Sequence, residues 1–121
     1  MSLTVDQTTF NQEVLGASVP VLVSFWAPWC GVCRMVSPVL LELQTQWQGQ
    51  IKLVNVNADE NLRLANTYRL KNLPTIILFD RGSVQCRFED FQSRDDFRNA
   101  AKNLHFSLET LLLQQGCSAS A

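Results

Sequence analysis

Residues 19–33 constrain the fold of this chain more than any other stretch. Val19-Pro20-Val21-Leu22-Val23-Ser24-Phe25-Trp26 is an almost unbroken apolar run, with Ser24 as its one polar interior residue. Such a run predicts a strand covered on both faces, as central strands of parallel sheets are. Ala27-Pro28-Trp29-Cys30-Gly31-Val32-Cys33 follows, and then Val36, Leu40, Leu43 and Trp47 recur at three- and four-residue steps, the period of an amphipathic helix. Two cysteines three apart therefore stand where a buried strand gives way to a helix. That is the carboxyl edge of an α/β sheet, the usual place for a site in this class.

The remaining sequence extends the pattern. Asp6 is placed to cap a short helix carrying Phe10 and Val14, with Gly16 to end it. Pro38 lies inside the helix after Cys33 and predicts a kink rather than an end, because the periodicity continues to Trp47 and closes near Gly49. Ile51–Asn57 reads as a second strand, parallel to the first across a right-handed crossover. A short helix is expected around Asn61–Tyr68, then strands Thr75–Asp80 and Val84–Glu89, antiparallel across Arg81-Gly82-Ser83. Ser93 opens a last helix with Phe97, Ala101, Leu104, Leu108, Leu111 and Leu112 on one stripe, reaching Gln115 or breaking near His105–Ser107. One domain over residues 1–115 with a flexible tail over 116–121 accounts for all 121 residues.

Composition removes several function classes from expectation. A formal net charge of −1 supplies no basic field for nucleic acid. The longest apolar stretches, Val19–Trp29 and Leu73–Phe79, fall short of the ~20 residues of a membrane span. Met1-Ser2-Leu3-Thr4-Val5-Asp6 has neither the basic nor the apolar segment of an export signal, so the expected location is cytoplasmic. Of the four cysteines at 30, 33, 86 and 117, a C-x-x-C pair in a reducing compartment reads as reversible redox chemistry or as half a metal site. Zinc would have to recruit Cys86, Cys117 or His105, since no second C-x-x-C exists, and no metal is expected. His105 reads as a partly buried surface residue, Cys86 as a strand residue near the sheet edge, and Cys117 as a free thiol on the tail.

The position of the pair also assigns unequal roles. Free N–H groups and the positive end of a helix stabilise a thiolate at its start, and two intervening residues let the sulfurs bond without moving the backbone far. Cys30, nearer the helix start and solvent, is expected to attack a disulfide, and Cys33 to resolve the mixed disulfide. Phe25, Trp26, Trp47 and Phe79 are expected in the core, and Trp29 as a platform for substrate.

Phe25-Trp26-Ala27-Pro28-Trp29-Cys30-Gly31-Val32-Cys33-Arg34-Met35 closely resembles the active-site segment of the thioredoxin family, with Pro38, Asp59, Leu73-Pro74-Thr75, Phe79 and Gly82 at matching positions. The likeness covers roughly residues 3 to 104. It implies an α/β thioredoxin fold, a central five-stranded mixed sheet flanked by four helices, here with an extended C-terminal helix. It implies a cis Pro74 facing the cysteines and a substrate-binding surface of Trp29, Gly31, Val32, Leu73, Pro74 and Thr75. An X–Pro bond tolerates cis far better than other peptides, and a proline opening a strand withholds one ladder donor. The implied activity is thiol–disulfide exchange with protein disulfides, a protein-disulfide reductase with no cofactor beyond its own dithiol. The implied partners are protein disulfides and an electron-donating reductase.

Four positions depart from the family pattern. Val32 stands in place of the usual proline and restores an N–H able to donate to the Cys30 sulfur, which predicts a less reducing couple. Ser24 and Asn55 replace the buried aspartate and lysine of the proton relay, so Cys33 is expected to be activated slowly. Glu89-Asp90 puts two carboxylates on the substrate rim, expected to disfavour acidic partners and to crowd the groove. These departures leave open an alternative, a redox-responsive binding or regulatory protein with weak turnover. A monomer is expected, with weak self-association through the Leu108–Leu113 extension as the sharper alternative.

Overall fold

The computed structural model describes residues 3–91 and 93–116. Its elements run β1 (Leu3–Thr4), a π-helical segment (Asn11–Leu15), β2 (Val21–Trp26), α1 (Gly31–Gln46), β3 (Lys52–Asn57), α2 (Leu62–Thr67), β4 (Thr75–Asp80), β5 (Ser83–Phe88) and α3 (Arg94–Gly116). The strands form one sheet in the order β1-β3-β2-β4-β5. β1, β3 and β2 are mutually parallel, while β2–β4 and β4–β5 are antiparallel. This is the five-stranded mixed sheet with four helical elements that the sequence resemblance implied.

β2 lies between β3 and β4, and the continuous apolar run follows from that position: both of its faces are covered. Leu22, Leu53, Ile76 and Leu78 pack under α1 and α3 with Val36, Leu40, Phe97, Leu104 and Leu108. Val21, Val23, Phe25, Val54, Val56, Ile77 and Phe79 pack on the other side with Phe10, Val14 and Leu64. Period-2 alternation along each strand divides the two cores.

The Asp6 carboxylate accepts from the N–H of Thr8 at 2.9 Å and of Thr9 at 3.1 Å, so it holds the turn that leads into the first helical segment; the N-cap of that segment is Phe10, with no side-chain capping bond, and not Asp6 as the sequence suggested. That segment is a π-helix rather than an α-helix, because the Gly16 N–H reaches back five residues to Asn11 O at 2.8 Å. Arg81 (φ 53°) and Gly82 (φ 81°) make the β4–β5 turn, both left-handed as a two-residue hairpin requires. A Cβ on Gly82 would also stand 3.2 Å from Leu15 O. α3 runs unbroken through His105–Ser107, because Leu104 and Leu108 stay in the core on either side. Gly116, read as the start of the tail, is its last residue, and residues 117–121, Cys117 included, lie outside the described residues.

Candidate active site

β2 delivers the chain to the carboxyl edge of the sheet, and Ala27-Pro28-Trp29 carries it to the N-terminus of α1. Cys30 is the N-cap of that helix, with extended backbone (φ −87°, ψ 106°), and its sulfur accepts from the Cys33 N–H at 3.1 Å. Cys30 and Cys33 are joined in a disulfide, their Cα atoms 5.3 Å apart. The first turn brings the sulfurs together, as the spacing predicts.

Two details differ from the sequence reading. The N–H that reaches Cys30 Sγ belongs to Cys33, not Val32, because an N-cap acceptor is well placed for the donor three residues on. Cys30 is also no more exposed than Cys33: both are 5% accessible in the disulfide form, packed with Ala27 against Trp26, Val32 and Leu73. Position on the helix, not exposure, distinguishes the two sulfurs here.

The surface around the disulfide is built from three segments. Trp29 is 68% exposed, and its indole N–H donates to Asp59 Oδ2 at 2.7 Å, which holds the ring beside Cys30. Asp59 follows β3 at the same sheet edge, and its N–H is fixed on Asn57 Oδ1 at 2.9 Å. Gly31 is exposed and Val32 half-buried. Leu73 is half-buried and the Leu73–Pro74 peptide is cis, as the resemblance implied. Thr75, expected on the substrate surface, is fully buried, and its hydroxyl donates to Asn72 O at 2.8 Å. It braces the loop before Pro74 and offers no accessible surface in this state.

Glu89 and Asp90 are held in place rather than left loose on the rim. Glu89 Oε2 accepts from Arg87 Nε at 2.6 Å, while the same guanidinium donates to Tyr68 O and to Arg69 O at the end of α2. Asp90 adopts φ 65°, a conformation that aspartate tolerates better than most residues. Asn72 Nδ2 donates to its carboxylate and its own N–H donates to Asn72 Oδ1 at 3.2 Å. The paired Glu89 contributes less repulsion than two free carboxylates would.

Ser24 and Asn55 are Cα partners across β2 and β3. With Trp26, Cys33, Arg34 and Ser37 they line a cavity of about 420 Å³ behind the disulfide. Sequence reasoning noted Ser24, Asn55 and the cysteines but gave no part to Asp59, Arg34 or Ser37. An acidic residue just past a strand end and polar residues in the first turns of α1 were the only signals, and both are common on surfaces.

His105 packs against Trp47 at a ring distance of 5.1 Å and lies 3.7 Å from Glu109, a surface pairing away from the cysteines. Cys86 is half-buried on β5, and burial raises its thiol pKa despite a hydrogen bond with Ser107. Among the described residues no group of three or more His, Cys, Asp or Glu side chains could hold a metal ion. No helix among them is long and apolar enough to cross a membrane.

A sequence profile of the thioredoxin family matches residues 1–103. "Thioredoxin 1" of Nostoc sp. is 54% identical over 78 residues, which covers 64% of this chain and 73% of that protein. "Thioredoxin M-type, chloroplastic" of Chlamydomonas reinhardtii is 44% identical over 82 residues, covering 68% of this chain and 58% of that protein. "Thioredoxin" of Rickettsia felis is 40% identical over 82 residues, covering 68% of this chain and 78% of that protein.

Proposed function

Since the chain belongs to the thioredoxin family, we propose that Cys30 attacks disulfides of protein substrates and that Cys33 resolves the mixed disulfide that results. The protein is a thiol–disulfide oxidoreductase, a protein-disulfide reductase of the thioredoxin type, and the dithiol that reacts is its own. The observation that carries the two-step reading is the N-cap position of Cys30 with the Cys33 N–H on its sulfur. A donor and the positive end of α1 aimed at one sulfur favour its anion and hence its role as nucleophile.

The cycle runs through bonds that balance. The Cys30 thiolate bonds to one sulfur of the substrate and expels the other as a thiolate. Cys33 then bonds to Cys30, releasing the second substrate thiolate and leaving the disulfide seen here. An electron-donating reductase returns the pair to the dithiol. Trp29, Gly31, Val32 and Leu73 supply the apolar surface for an extended substrate segment, while the buried Pro74 and Thr75 shape the loop that carries Leu73. Ser24 and Asn55 stand at the altered proton-relay position. The protein acts as a cytoplasmic monomer in this reading; burial of Leu108 and half-burial of Leu111 against their own core support the monomer. In-cell thiol trapping that finds the pair mostly as dithiol supports the reducing compartment.

Reduction of insulin disulfides with dithiothreitol as donor tests the reading. Turnover that Cys30→Ser abolishes is the expected result. The second reading, a redox-responsive binding protein with weak turnover, is favoured by one observation: among the described residues, no carboxylate or imidazole lines the cavity behind Cys33. Negligible turnover with partner binding intact selects it.

A further inference from the structure

The strand order fixes what lies along the sheet edge that carries the disulfide. In the order β1-β3-β2-β4-β5, the chain past β3 carries Asp59 and the chain past β2 carries Trp29 and Cys30. The approach to β4 carries Leu73 and Pro74, and the chain past β5 carries Glu89 and Asp90. A segment laid from Trp29 across the disulfide to Leu73 therefore meets the β5 end next. Leu73 packs against Cys30 and Cys33, and Asn72, its neighbour in the chain, is hydrogen-bonded to Asp90 in both directions.

The two carboxylates at that end are not equivalent. Glu89 is half-buried and neutralised by Arg87, whose Nε lies 2.6 Å from Oε2. Asp90 is exposed and has no cationic partner among the described residues. Asn72 Nδ2 donates to its Oδ1, and Oδ2 has no partner among those residues. The position of Asp90 is nevertheless set. Its N–H donates to Asn72 Oδ1 at 3.2 Å, and Asn72 O accepts from the hydroxyl of the buried Thr75 at 2.8 Å. A fixed anion with one uncommitted oxygen thus stands beside the loop whose Leu73 touches the disulfide.

We propose that Asp90 determines specificity, selecting substrate segments that carry arginine or lysine within two residues of the reacting cysteine. The inference rests on the reading of this surface as the place where protein disulfides are held, and it names the chemistry of the segments preferred there. An exposed carboxylate oxygen forms charge-assisted bonds with a guanidinium or ammonium group and repels a second carboxylate. An extended segment advances ~3.3 Å per residue, so a long cationic side chain one or two residues from the cysteine spans the distance from Leu73 to the Asn72–Asp90 pair. Exposed ion pairs are weakened by the entropy of ordering two side chains. Asn72 already holds one of them here, and only the substrate side chain remains to be ordered.

The test uses the reduced full-length chain and short peptides, each with a single cysteine joined in a disulfide to mercaptoethanol. Each peptide carries arginine, glutamine or glutamate at one of the two positions on either side of that cysteine. Chromatography of acid-quenched samples gives the second-order rate constant for loss of each peptide disulfide. At low salt, arginine is expected to exceed glutamine about fivefold at the position that reaches Asp90, the upper end for an exposed ion pair, and glutamate to fall below glutamine. The arginine-to-glutamine ratio should drop towards one in about 1 M salt, where screening acts within ~3 Å. It should drop equally in Asp90→Asn, which keeps an acceptor for Asn72, and Asp90→Gly, suited to the φ of 65°, takes its place if that variant does not fold. A purely structural role for Asp90 would slow all peptides alike and leave the ratio standing. Glu42→Gln makes the same change in net charge at an exposed position of α1 and is expected to keep the ratio. A ratio near one in the unsubstituted chain at all four positions, a ratio that survives in the Asp90 variants, or one that Glu42→Gln also abolishes overturns selection by Asp90 and leaves disulfide exchange standing. If no peptide disulfide is reduced, exchange and selection fall together.

Discussion

A sulfur at a helix N-cap responds to individual backbone donors. Cys30 Sγ already accepts from the Cys33 N–H, and the N–H of Val32 lies in the same first turn, where intrahelical partners are lacking. Once the disulfide is reduced and Cys30 carries negative charge, a second donor favours the dithiol state. Val32→Pro removes that donor and is expected to move the redox potential about 20 mV more negative, from ~1 kcal/mol for one hydrogen bond and ~30 mV per 1.4 kcal/mol. Equilibration against a glutathione series measures it, and a shift to more positive potential overturns the donor account. Cys86 offers a contrast, since it has burial but no helix end, and its thiol pKa is raised. With the active-site pair oxidised, iodoacetamide at neutral pH is expected to label Cys86 more slowly than glutathione. The rate should rise only above the ordinary thiol range.

Among the elements, α3 carries the clearest consequence of packing. Its stripe continues past the region matched by the family profile, which ends at residue 103, and Leu108 is 0% exposed beside Phe97 and Leu104. The extension is therefore part of the core at least to that point. Leu108→Ala is expected to cost about 2–5 kcal/mol in urea unfolding, the range for deleting a buried leucine. A loss below ~0.5 kcal/mol would mean that the helix end does not pack as described. The long α1 shows why periodicity outweighed a proline: Pro38 removes one backbone donor, yet Val36, Val39, Leu40 and Leu43 stay buried on one face, and packing holds the helix through it.

Stability of the folded chain should fall in alkali. Burial raises the pKa of both Tyr68 and Cys86, so each group binds its proton longer in the native state than in the unfolded one, and stability decreases as pH rises past the unfolded values. Urea midpoints measured upward from pH 8 on the oxidised protein are expected to be level until about pH 8.5 and then to decline through about pH 10, near the ordinary thiol and tyrosine values. A rise over that interval contradicts the burial of these groups. Much of this architecture is dictated by local pattern. The apolar run of β2 requires two covered faces, the stripes of α1 and α3 require a sheet to cover, and two cysteines three apart at a strand-to-helix junction require little else to meet. β1 was not legible, because two residues, Leu3 and Thr4, are too few to alternate and are a strand only through pairing with Val54 and Asn55. The grip of Asp59 on Trp29, the restraint of Asp90 by Asn72 and the polar space behind Cys33 were likewise decided by tertiary structure. Each joins side chains from separate segments, and no periodicity within one segment encodes where another segment will lie.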